Sequence, residues 1–284
     1  MNEAPGRHEI ESLRAPSAAI GFSPARVMAM VERHLYLLSS SPVRLIDLAY
    51  WPTVQLLTWS FLQLYVGRTS QLPVLAAGTL IGGILLWDVL FRGQLGFSMS
   101  FLEEVWSRNL GHLLMSPLRP GEFVLSLMIM SILRLMIGLV PAVLIATTFF
   151  GFDIATLSFA IPFLFINLML TAWSVGLVTS GLILRNGLAA ETIAWSAMFA
   201  MMPFACISYP VTTLPSLLQP IAWALPPTYV FEAMRAMLIG NTFRLDLLVE
   251  SLALNLLWIG FGSLAFRALL ASARRAGSLL SMGE

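Results

Sequence analysis

The chain has 284 residues, 58% of them hydrophobic and 11% charged, with a mean hydropathy of +0.83; a soluble domain carries roughly 25% charged residues, so this composition excludes one and points to a polytopic membrane protein. The net charge is +1 and all 16 basic residues are arginine, which excludes a P-loop in this chain, because that motif needs a lysine to reach the phosphates. Cys206 is the single cysteine, so no intrachain disulfide can form, and no basic cluster with interleaved aromatics marks a nucleic-acid partner.

Residues 1–22 combine Pro5, Gly6 and Pro16 with mixed charge and are expected to form a mobile tail. No apolar run with a small-residue cleavage site opens the chain, so this end is expected to stay cytoplasmic. Ser23 and Pro24 are a good helix start, and Val27, Val31, Leu35 and Leu38 then form an apolar stripe against Arg26, Glu32, Arg33 and His34. This pattern predicts an amphipathic interface helix over 24–41. Hydrophobic runs predict spans at about 45–66 and 72–92, each long enough at 1.5 Å per residue to cross a hydrocarbon core of roughly 30 Å.

Residues 98–120 are the long polar-faced segment between hydrophobic runs. Leu102, Val105, Trp106, Leu110, Leu113 and Leu114 recur at helical spacing, with Glu103, Glu104, Ser107, Arg108 and His112 on the other side. Ser100 and Glu103 stand in a capping-box arrangement, and Pro117 and Pro120 end the pattern. The segment predicts a cytoplasmic surface helix over 98–116, either resting on lipid or docking a cytoplasmic partner.

Further spans are predicted at about 122–150, 154–184, 188–209 and 248–270, making six. Twelve arginines fall in the tail and the loops of one side, whereas only Arg68, Arg235 and Arg244 fall in the opposite loops; the positive-inside bias therefore places both termini in the cytoplasm. Between the last two spans, 209–247 is apolar but broken by Pro210, Pro215, Pro220, Pro226 and Pro227, which forbids one continuous helix. Two short helices dipping into the outer leaflet are expected, as a re-entrant segment capping a pathway; irregular backbone at membrane depth must be buried by protein or line a cavity.

Arg134 falls within the third span, where a charge is expensive and normally faces the bundle interior. It reads either as a group lining the path or gate or as a buried arginine held by carbonyls or by a carboxylate such as Asp88. Glu232 and Arg235, three apart, can pair across one turn; they are pathway candidates, with a local salt bridge as the plainer account. No catalytic constellation and no metal-ligand spacing is visible: His8, His34 and His112 are far apart, and no H-E-x-x-H occurs.

Two motifs then carry a resemblance. Glu103, Glu104, Arg108, Leu113, Leu114, Ser116, Pro117 and Leu118 resemble the acidic-Arg-Leu-Leu-Ser-Pro-Leu stretch that follows span two in the ABC type-2 permeases. Tyr209, Pro210, Leu214 and Pro215, followed by Leu225, Pro226, Glu232 and Arg235, are similar to that family's pattern before its last span. Asn109, Leu110 and Ser126 stand where many members have Gly-Thr and a lysine. The resemblance implies an all-α transmembrane domain over 23–284, with 98–116 as the coupling helix. It further implies the permease subunit of a bacterial ATP-driven exporter in the inner membrane, working as a homodimer or with a close paralogue. Two cytosolic ABC ATPase subunits would bind the ATP and Mg, so no cofactor is expected in this chain. Glu103, Glu104, Arg108 and His112 would then couple to the ATPase, and an amphipathic or lipid-linked substrate such as a glycan, glycolipid or hydrophobic drug would cross. An ion-coupled secondary transporter and a non-transporting scaffold are the competing readings.

Overall fold

The computed structural model describes residues 21–69, 78–152, 157, 159–187 and 191–276. The expected tail up to residue 20, and the first residues of the spans expected from 72, 154 and 188, lie outside them. The described residues form helices and no strand: α1 Pro24–Ser39, α2 Pro42–Thr69, α3 Thr79–Trp106, α4 Leu110–Met115, α5 Pro120–Phe150, α6 Ile161–Asn186, α7 Glu191–Met201, α8 Gln219–Trp223, α9 Pro226–Gly240 and α10 Leu245–Ala276.

Contacts between helices set their directions. Gly96 meets Ser131 and Phe101 meets Phe123, so α3 and α5 run antiparallel. Gly93 meets Met169 and Phe97 meets Gly176, so α3 and α6 run parallel. Asn255 bonds Asn167 at an offset of 88 residues, and Gly262 on Ser174 and Gly181 on Leu269 keep that offset; α6 and α10 are therefore also parallel. A parallel pair has to be joined by chain that returns the length of the first helix. Part of that return is α7, whose Trp195 and Phe199 pack on Phe91, and part is the turns that bring Ile207 against Gly83.

Apolar helices gain little from leaving lipid for one another, so close fit and interhelical polar contacts hold such a bundle. At Gly262 an added Cβ would lie 2.7 Å from the Ser174 carbonyl oxygen, and next to this crossing Thr171 Oγ1 donates to Asn255 Oδ1 at 2.7 Å. Pro52 lies inside α2 and has no N–H to give Leu48, four residues back. That carbonyl instead faces Gly138 of α5, where a Cβ would come within 2.5 Å of it.

Four helices are long and apolar enough to cross a membrane by length and composition: Thr79–Trp106, Pro120–Phe150, Ile161–Asn186 and Leu245–Ala273. The spans expected at 45–66 and 188–209 are not among them. α2 has 28 residues but includes Arg44, Asp47, Gln55, Gln63 and Arg68. α7 has 11 residues, about 16 Å of helix, and turns follow it up to Pro210.

The single helix expected over 98–116 is not present. Residues 98–106 are the last turns of α3, and Ser100 donates its hydroxyl to the Gly96 carbonyl rather than capping a new helix. The chain turns at Ser107–Asn109, with Arg108 in the left-handed region at φ +53°, and α4 keeps only six residues. The expected re-entrant segment contains a 3-10 turn at Val211–Thr213, α8 and α9. α9 buries Val230, Phe231 and Met234 against α10, α6 and α3.

Candidate functional site

Three carboxylates gather where α3 ends and α5 begins, and α1 reaches two of them, Glu122 and Glu104. Glu122 sits in the first turn of α5. Its carboxylate accepts from the Arg119 backbone N–H at 3.0 Å, from the Ser23 backbone N–H at 2.8 Å, and from Arg26 Nε at 2.9 Å. It thus caps α5 and ties the start of α1 to it.

Seven and eight residues beyond Arg26 on α1, Arg33 and His34 meet Glu104. That carboxylate is fully buried and accepts from Arg33 Nη1, while His34 Nε2 lies 3.2 Å away. Its other oxygen accepts from Asn109 Nδ2 at 3.0 Å. Asn109 occupies the cap position of α4 but makes no side-chain cap there; its NH2 group donates to Glu104 instead. The carboxylate therefore binds α1, the end of α3 and the turn into α4 into one unit.

Glu103, its neighbour in sequence, points elsewhere. It receives Arg134 Nη2 of α5 at 2.6 Å and lies 3.7 Å from Arg44 of α2. Arg134 is 14 residues beyond Pro120, about 21 Å along α5, and its guanidinium pairs with the carboxylate near the end of α3 instead of with Asp88. Asp88 pairs within its own helix with Arg92, at 3.4 Å. Glu103 and Glu104 are thus internal to the joint rather than on an outer charged face, while Arg108, His112 and Met115 are exposed.

Glu232 and Arg235 lie on α9, toward the opposite end of the bundle, and are not part of this joint. Arg235 Nη1 donates to the Cys206 carbonyl at 2.7 Å and to Ile207 O at 3.3 Å. Glu232 Oε1 accepts from the Val211 backbone N–H at 2.8 Å and pairs with Arg235 at 2.9 Å. The pair clamps the turns of 204–213, where Cys206 takes φ +55°.

Arg26, Arg33, His34, Arg44, Asn109 and Glu122 belong to this joint although sequence reasoning did not assign them to it. For His34 the signal was present: it stands seven residues after Val27 and three after Val31, on the stripe that buries Val27, Met30, Val31 and Leu38. Burial alone lowers its proton affinity. The hydrogen bonds to Glu104 and the Met30 carbonyl, with the charges of Glu104 and Glu103, more than offset this, so the ring stands above its ordinary value.

The family model described as ABC-2 type transporter matches residues 27–239. No curated protein matches the chain. The matched region runs from the first buried residue of α1 to the last turn of α9 and takes in the clamp and all of the joint except Ser23 and Arg26.

Proposed function

The chain belongs to the ABC-2 type transporter family and is a multi-pass membrane transport subunit; from that premise we propose that it is the permease of an ATP-driven exporter, with ATP and Mg bound by separate cytosolic ABC ATPase subunits. A second permease copy, identical or paralogous, completes the pathway. The substrate class is amphipathic or lipid-linked, a glycan, glycolipid or hydrophobic drug, and the membrane is the bacterial inner membrane. α2 and the return through α7 and its turns join the four apolar helices to make six passes, with both termini cytoplasmic. The helix directions support this count, because α2 and α5 run one way and α3, α6 and α10 the other.

One observation carries the coupling role: His112 and Met115 of α4 and Arg108 of the turn before it are exposed, while Asn109 at the start of α4 is tied through Glu104 to α1. A push on α4 is thereby passed to α1 and to the ends of α3 and α5. Affinity purification of the tagged protein from native membranes is the test. A P-loop ATPase is expected to accompany it and to be lost from the double variant Arg108→Glu with His112→Glu. A preparation without any ATPase overturns the reading in favour of a secondary transporter or a scaffold.

A further inference from the structure

The imidazole of His34 is fully buried, and each of its nitrogens faces oxygen acceptors. Nδ1 is 2.8 Å from the Met30 carbonyl oxygen; Nε2 is 3.3 Å from that of Ser100 and 3.2 Å from Glu104 Oε1. A neutral imidazole has one N–H, so either tautomer would aim a lone pair at an oxygen. Only the imidazolium, donating from both nitrogens, fits the site as it stands.

The surrounding charges are already spoken for. From α3, Glu104 is held by Arg33 and Asn109, and Glu103 by Arg44 of α2 and Arg134 of α5. Glu122 of α5 is held by Arg26 at the other end of α1. Asp47 of α2 and Glu32 of α1 are exposed to solvent. Among the described residues of the joint, His34 is the one side chain whose ordinary titration falls between about pH 5 and 8.

We propose that the contact of α1 with the end of α3 is a proton-operated latch, closed while His34 carries a proton on both ring nitrogens and released when one is lost. Opening lets the ring return to its ordinary proton affinity, which is lower than in the closed contact. The stabilisation is therefore complete below the ordinary imidazole value and is lost as pH rises through the raised one. Between those two values one proton leaves per opening, so the opening equilibrium grows about tenfold per pH unit. The meaning of the latch for transport rests on reading α4 and α1 as the ATPase-facing unit; the latch itself resides in this chain alone.

The test uses the full chain in lipid nanodiscs without ATPase. Only three histidines are present, so nitrogen-15 spectra of the imidazoles resolve each one, with His34→Gln identifying the signal. His34 is expected to remain imidazolium at pH values where an ordinary imidazole has lost its proton. Hydrogen exchange of α1, corrected for the intrinsic rate, should rise about tenfold per pH unit between the ordinary imidazole value and the observed His34 titration, level off above it, and be flat in His34→Gln. A neutral His34 at pH 6, or α1 exchange that ignores the wild-type titration, overturns the proposal; both are read on the wild-type chain even where the variant fails to fold. A flat α1 profile beside a co-purifying ATPase sinks the latch alone, and a pH-dependent α1 without any ATPase sinks the coupling reading alone.

Discussion

The joint around Glu103 and Glu104 and the clamp around Arg235 both bury an arginine against a carboxylate, but they fasten different things. In the joint, the arginines that reach Glu103 and Glu104 come from α1, α2 and α5, 31 to 71 residues away in sequence. In the clamp, Glu232 and Arg235 stand on one helix and spend their remaining hydrogen bonds on the backbone of 206–211. The first connects elements that could move against one another, through contacts between side chains. The second replaces the backbone hydrogen bonds that a proline-broken segment cannot make for itself. A charge pair is thus a hinge fitting or a structural splint according to whether its outer contacts are side chains or main chain.

Substitutions can break that contrast. Arg235→Leu should have the largest effect: it strips two buried carbonyls of their donor and leaves Glu232 unpaired, a loss of roughly 3–5 kcal/mol. Thermal melting followed by size-exclusion should fall by about 10 °C. A variant that melts normally but does not transport would instead make Arg235 a pathway residue. Glu104→Gln should cost less, about 2 kcal/mol, since the amide keeps the shape, and its mark should be faster hydrogen exchange confined to α1 and α4. If the whole bundle loosens equally, the joint is a splint as well. Arg44→Ala should be smallest, with no measurable change in melting, because Arg44 is 54% exposed and 3.7 Å from Glu103.

Hydropathy and proline placement carried most of the fold, because each acts locally. The all-helical membrane class, the family and the breaks near Pro215, Pro220 and Pro226 were all legible. The limits of the 98–116 helix were not. Glu103 and Glu104 read as an outward charged face, since a helical wheel records which residues are charged and not which distant arginines reach them. Arg33, His34 and Arg134 turned those carboxylates inward, and the polar end of α3 then ran on as one helix to Trp106. For the same reason, Asp88 looked like the partner of Arg134 on grounds of depth, whereas Glu103 reaches it in three dimensions. The end of α7 was legible but missed: Pro203 disfavours helical backbone at the residue before it, and the helix stops at Met201. No local pattern announces that α6 and α10 lie side by side, because that follows only from the chain between them.

The parallel pairing of α6 with α10 has a consequence for biosynthesis. α10 is made after α6, so α6 must wait in the membrane while the intervening chain is synthesised, carrying an asparagine and a threonine meant for it. It can wait safely, because Asn167 Nδ2 donates to the Phe163 carbonyl and Thr171 Oγ1 to that of Asn167, so the lone helix shows lipid few unpaired donors. When α10 arrives, the Thr171 hydroxyl turns its one proton to Asn255 Oδ1, and the Asn167 carbonyl it leaves accepts from Asn255 Nδ2 instead, so no group of α6 is left without a partner. The half-made protein is thereby tolerable to the bilayer, and the arrival of α10 is what closes this seam.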